Sequence, residues 1–121
     1  MDNHDKIHYI EMMASDLEST KSFFRRVFGW DFQDYGPDYC SFLNAGLDGG
    51  FHRADLKADT ANGSALVVLY SSNLEETRQN VTDSGGLIKK DIFSFPGGRR
   101  FHFTEPSGNE FAVWSDQGMD Q

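Results

Sequence analysis

One cysteine, three prolines and eleven basic residues against nineteen acidic ones close off several kinds of protein to this chain of 121 residues. Cys40 stands alone, so no intrachain disulfide can form and a Cys-rich zinc site is out of reach. A small buried hydrophobe is the role it fits. The formal net charge is −8 and both halves of the chain are acidic, so neither nucleic acid nor an anionic membrane meets a basic face. The longest uncharged apolar run, Ala65–Tyr70, is far too short to span a bilayer. Met1-Asp-Asn-His-Asp5 lacks the basic-then-apolar order of a signal peptide, and a reducing cytoplasm is the expected location. The glycine spacing forms no nucleotide-binding signature, and no serine sits in a nucleophile-elbow context.

What the chain does have is rings: 11 Phe, 4 Tyr and 2 Trp, enough apolar surface to offset chain entropy and build one core. It also repeats itself. Ser15-Asp-Leu-Glu18 and Ser72-Asn-Leu-Glu75 lie 57 residues apart, and each reads as a capping box opened by serine. Leu17 and Phe24 recur at the same offset as Leu74 and Val81, on one helical stripe. Gly29 and Gly86 follow at that offset and read as left-handed helix stops.

A strand precedes each helix, at Ile7–Met13 and Ser64–Ser71. Three short β runs follow each one. They are Trp30–Tyr35, Tyr39–Asn44 and Gly50–Ala54 in the first half, then Leu87–Phe93, Arg100–Thr104 and Glu110–Ser115 in the second. The expected fold is α+β: a single domain over 1–121 made of two βαβββ modules, about 6–54 and 64–116, joined by the polar linker 55–63. Each helix should cover the outer face of one sheet, and the opposite faces should bound a shared cleft.

Three segments carry a resemblance. They are Ala14-Ser-Asp-Leu-Glu18 with Phe23-Phe-Arg-Arg-Val-Phe-Gly-Trp30, then Ser71-Ser-Asn-Leu-Glu75 with Gly85-Gly86, and finally Phe103-Thr-Glu-Pro-Ser-Gly-Asn-Glu-Phe111. In this order they resemble the vicinal oxygen chelate superfamily, which includes glyoxalase I, bleomycin- and fosfomycin-resistance proteins and extradiol dioxygenases. The resemblance implies a half-open barrel around a small-molecule site. It also implies a homodimer and, in catalytic members, a divalent metal on inward-facing His, Gln or Glu side chains. An enzyme of this kind would be a glyoxalase-type lyase or isomerase.

The ligand positions implied by the resemblance fall on Tyr9, on Leu66 by the 57-residue offset, and on Ala112 after Gly108-Asn-Glu-Phe111. Leu and Ala carry no donor, so the standard metal site is missing, and no cofactor is expected. Two repairs stay open. A one-residue slip would put His8 in place of Tyr9, and a composite site could draw on Glu11, His52, His102 and Glu110. His52 lies 60 residues before Ala112, the lag that separates Gly49 from Asn109, and on that count His52 matches Ala112 in the other half.

Strand parity supplies a lining for the cleft without reference to metal. Tyr9, Glu11 and Met13 share one face of the first strand, and Leu66, Val68 and Tyr70 share the face related by the offset. Glu110, Ala112 and Trp114 share a face of the last strand; His52 lies on the last strand of the first half and His102 on the seventh strand. This mixed wall suits a small, partly apolar organic molecule. Glu11 and His102 are the acid–base candidates, alongside their structural readings as a salt-bridged strand residue and a hydrogen-bonded wall residue. The Pro96-Gly-Gly-Arg-Arg100 turn reads either as an anion site built on Arg99 and Arg100 or as a solvated hairpin tip. A filled barrel that binds a partner, with no cavity, is the third reading of the whole chain.

Overall fold

A computed structural model of the chain describes residues 3–118, and over them the same order of elements runs twice. The first set is β1 (Tyr9–Ala14), α1 (Leu17–Phe28), β2 (Asp31–Asp34), β3 (Tyr39–Leu43) and β4 (Asp48–Arg53). A single 3-10 turn at Thr60–Asn62 interrupts the linker. The second set is β5 (Val67–Tyr70), α2 (Leu74–Asp83), β6 (Leu87–Phe95), β7 (Gly98–Thr104) and β8 (Glu110–Ser115). Met1 and Asp2 of the signal-peptide reading, and Met119–Gln121 of the domain reading, lie outside the described residues.

Each set makes one four-stranded mixed sheet, in the orders β1-β4-β3-β2 and β5-β8-β7-β6. The three consecutive strands pair antiparallel, and the strand before the helix pairs parallel with the last. A helical crossover is what a parallel partner requires. The architecture is α+β with no closed barrel.

The caps differ from the expected serines. Asp16 caps α1, accepting from the amide of Ser19 at 3.1 Å, and Asn73 caps α2, accepting from the amide of Glu76 at 3.2 Å. The 57-residue offset survives, moved from the serine to the Asx residue that follows it. Asx at that position reaches the third amide of the helix directly, while Ser71 instead accepts from the amide of Asn73. Gly29 ends α1 in the left-handed region as expected (φ 71°). In the second module that conformation belongs to Gly85 (φ 97°), not Gly86. Gly86 is needed for closeness: a Cβ there would lie 2.7 Å from Val81 and 2.9 Å from Phe23.

The core gathers where the helices meet the sheets. Phe24 of α1 stacks on Trp30 at 4.5 Å and reaches Phe51 on β4 (5.8 Å) and Phe111 on β8 (5.0 Å). Its neighbour Phe23 meets Phe103 on β7 at 5.7 Å. Consecutive helical residues point about 100° apart, so two adjacent phenylalanines give α1 a wide apolar stripe. It therefore packs on both sheets, rather than covering one outer face as expected. Cys40 is fully buried among these residues, and burial pushes its thiol pKa up.

Ile10, Met12 and Ala14 turn toward this core, which leaves Tyr9, Glu11 and Met13 on the helix-free, open face of the first sheet. The equivalent open face of the second sheet carries Val68, Tyr70, Arg100, His102, Glu110, Ala112 and Trp114. No described helix is long and apolar enough to cross a membrane.

Candidate functional site

The register of the second sheet lays its open face out as two rows. Lys90, His102, Ala112 and Val68 are successive cross-strand partners, and so are Phe93, Arg100, Trp114 and Tyr70. His102 sits in the middle of this lattice and is only 9% exposed. Its Nδ1 lies 3.0 Å from Oε2 of Glu110. Phe93 lies against the imidazole, with ring centroids 6.0 Å apart. The Nε2 atom is shielded from solvent and has no hydrogen-bond partner within the protein.

Glu110 is held by more than His102. Its Oε1 accepts from the amide of Thr60 (2.9 Å), from the Thr60 hydroxyl (2.8 Å) and from Lys89 Nζ (3.3 Å). Burial pushes the Glu110 carboxyl upward, but the bonds from His102, Thr60 and Lys89 outweigh it and hold the pKa at about 2. An ionised carboxylate only accepts, so Nδ1 of His102 carries a proton, and in the singly protonated imidazole Nε2 presents a lone pair. A carboxylate that orients one imidazole nitrogen and leaves the other free is the arrangement used to accept a proton.

The first sheet carries a separate cluster. The hydroxyls of Tyr9 and Tyr39 are hydrogen-bonded to each other. Burial, with the contacts to Tyr9 and Glu11, pushes the Tyr39 phenol well above its ordinary range. Tyr39 lies across Gly50, where an added Cβ would come within 2.3 Å of its hydroxyl. His52 is paired with Tyr39 on β3 and with Met13 on β1, and is exposed.

The pairing settles the alignment of the two halves. Glu11 faces Gly50 in the first sheet, and Val68, its equivalent at the 57-residue offset, faces Ala112 in the second. Gly50, not His52, therefore corresponds to Ala112, and His52 corresponds to Trp114; the lag of 60 is corrected to 62. The ladder from Tyr9↔Asp48 to Ala14↔Arg53 is unbroken, so His8 cannot slip into the place of Tyr9 without turning the whole strand over.

A cavity of about 660 Å³ lies at the seam between edge strands β1 and β5. Leu66, Val68 and Tyr70 line it together with Ile10, Met12, Trp30, Phe42 and Phe111, several of which face the core. A smaller one, about 270 Å³, takes in Glu11 and Met13. Tyr9, His52, His102, Glu110, Ala112 and Trp114 line neither.

A chelated divalent ion does not fit the donor set. Leu66 and Ala112 offer no donor atom, and both carboxylate oxygens of Glu110 are already engaged. Among the described residues, no three His, Cys, Asp or Glu side chains group closely enough to hold a metal, so Glu11, His52, His102 and Glu110 do not form a composite site.

The anion reading of the Pro96–Arg100 turn is split in two. Arg99 points to the helix side, where its guanidinium binds the carboxylate of Glu75. Arg100 points to the open face, over Phe93 (5.5 Å) and Phe95 (5.9 Å). Residue-by-residue reading missed Tyr39, Thr60, Lys89, Lys90 and Phe93. Strand parity could have placed Tyr39 and Phe93; nothing local ties Thr60 to Glu110.

The family model of the Glyoxalase/Bleomycin resistance protein/Dioxygenase superfamily matches residues 6–113. No curated protein matches the sequence. Among solved structures, a glyoxalase-related enzyme from Fulvimarina pelagi aligns with a TM-score of 0.76 at 15% identity, covering 92% of this chain and 88% of that one. Lactoylglutathione lyase from Agrobacterium tumefaciens aligns at 0.69 and 17% identity, over 98% and 100%. A variant of the fosfomycin resistance protein FosX from Listeria monocytogenes, in complex with manganese(II) and a dihydroxypropylphosphonic acid, aligns at 0.75 and 18%, over 91% and 89%. At such identities these are likenesses of fold.

Proposed function

This chain belongs to the Glyoxalase/Bleomycin resistance protein/Dioxygenase superfamily, and we propose that it binds a small, partly apolar organic molecule on the open face of its second sheet, without a chelated metal. The observation that carries this reading is His102, oriented through Nδ1 by ionised Glu110 while Nε2 has no partner in the protein. A buried polar atom left unbonded calls for a group that arrives from outside. Ala112, its cross-strand partner, offers no polar group to occupy Nε2. His102 hydrogen-bonds the ligand, and a ligand with an acidic proton can pass it to Nε2, with Glu110 balancing the imidazolium charge. Glu11, beside Tyr39 on the first sheet, is the second acid–base group of the proposal. The same reading has the protein working as a cytoplasmic homodimer, as its exposed Tyr9, Met13, Val68 and Tyr70 favour.

Two measurements test it. Untagged protein, purified without chelators and offered nickel, zinc, manganese and iron, should retain far less than one equivalent by mass spectrometry. Near-stoichiometric retention would restore the reading of a divalent-metal-dependent lyase or isomerase. In a thermal-shift screen of small organic molecules, the compounds that raise Tm should lose that effect in His102→Asn. Equal shifts in both proteins would remove His102 from the site.

A further inference from the structure

Two polar atoms on this face lack protein partners, and they are neighbours. Nε of Arg100 and Nε2 of His102 are both shielded from solvent and both without a hydrogen-bond partner in the protein. They stand two residues apart on β7, on one face, with Cα atoms about 7 Å apart at strand rise. We propose that this face takes an aromatic acid, an aryl carboxylate or aryl phosphonate, whose anionic group is gripped by Arg100 and drawn in by Lys90, and is held by His102 once Nε2 has taken the acid's proton. The proposal rests on the reading of this face as the ligand site and names the class of ligand.

Charge supports it. The chain carries 19 acidic residues, yet among the described residues neither Arg100 nor Lys90 joins an ion pair. Arg99, one position away, is bound to Glu75, so the difference follows the face and not the segment. Instead of carboxylates, Arg100 and Lys90 have rings. The Arg100 guanidinium lies over Phe93 and Phe95, and Lys90 Nζ lies 4.3 Å from the Phe93 centroid. Stacking holds a guanidinium plane in place while leaving its edge able to donate, and that edge matches a carboxylate or phosphonate in two parallel bonds. A local positive cluster in a protein of net charge −8 selects for an anion that reaches this one spot.

The remaining neighbours suit the rest of the ligand. Trp114 is the cross-strand partner of Arg100 and packs edge-on to Tyr70 at 5.2 Å. Phe95 lies 6.4 Å from Trp114 on the other side. A flat ring held by its acid group at Arg100 meets these aromatic faces.

The test is an NMR titration of the full chain with benzoate, phenylphosphonate and the matched neutral benzamide, following the Arg100 Nε–H and Trp114 indole signals. Both acids should shift these signals and bind at least about tenfold more tightly than benzamide. Arg100→Gln should erase that advantage, and Lys90→Gln should reduce it a few-fold. Arg100→Lys keeps the charge but loses the fork, and it serves if Arg100→Gln fails to fold; it too should weaken the acids. If benzamide binds at Trp114 as tightly as benzoate, the anion proposal is wrong and the ligand-site reading stands. If none of the three moves signals on this face, both are overturned.

Discussion

Asn109 donates from Nδ2 to the carbonyl of Met13 at 2.7 Å, and this bond joins the turn before β8 to the end of β1, tying one sheet to the other. The same side chain accepts from the amide of Ala58 (2.7 Å) and donates to Glu105 (2.8 Å), so it also pins the linker and the turn. Asn109 is fully buried. Asn109→Leu would take a partner from the Met13 carbonyl, the Ala58 amide and the buried Glu105 carboxylate, at a cost of about 3 kcal/mol. Urea unfolding should show it as a fall in midpoint at unchanged slope; an unchanged midpoint would show that the three bonds hold nothing together.

Glu110 should give stability an acid-sensitive component. Its folded pKa of about 2 lies below the ordinary value of 4.5, so its contribution is full above pH 4.5 and is lost as pH falls toward 2. Glu110→Gln should be less stable than the parent at pH 7, and the gap should narrow between pH 4.5 and 2. A gap of constant size across that range would show that the ionised carboxylate is not the stabilising form.

Gly50 is expected to be intolerant of even one methyl group. A Cβ there would lie 2.3 Å from the Tyr39 hydroxyl and 2.5 Å from the Cys40 carbonyl. Gly50→Ala should displace Tyr39 from Tyr9 and lower Tm. In a spectrophotometric titration, one tyrosine that ionises above the ordinary range in the parent should move back toward pH 10 in the variant. Identical titration curves would contradict the placement of Tyr39 over Gly50.

Cys40 is fully buried with its thiol pKa raised. In native protein it should react with a thiol-specific disulfide reagent orders of magnitude more slowly than in urea, since the thiolate is the reactive form. Fast labelling of the folded chain would mean that the core around Phe51 and Phe42 opens readily.

Much of the fold was legible because its signals are local. Alternating β runs, two helical stripes and the turn residues Gly36-Pro37-Asp38 and Pro96-Gly97 mark element type within a few residues of themselves. Errors of one residue entered where two neighbours could do the same job. Ser15 and Asp16 are both good caps, as are Ser72 and Asn73, and only backbone geometry shows that the Asx residue is the one in place. The site was harder. Parity placed Glu110, Ala112 and Trp114 on one face, but only the pairing of β7 with β8 sets His102 beside Ala112, and the lag of 60 put His52 opposite the wrong position. Strand β6 has nine residues and two register shifts where β2 has four, and these extra residues lengthen the second meander.

By itself the sequence determined the two βαβββ units, the lack of an intrachain disulfide and the acidity of the chain. These depend on residue chemistry and on spacing along one strand or helix. Tertiary structure alone decided that α1 serves both sheets, that Arg99 and Arg100 part to opposite faces with opposite partners, and that Glu110 is held by Thr60 from the linker. Each of these is a pairing between segments far apart in the chain. Such pairings are set by long-range register and by burial of a shared core, which no local pattern encodes.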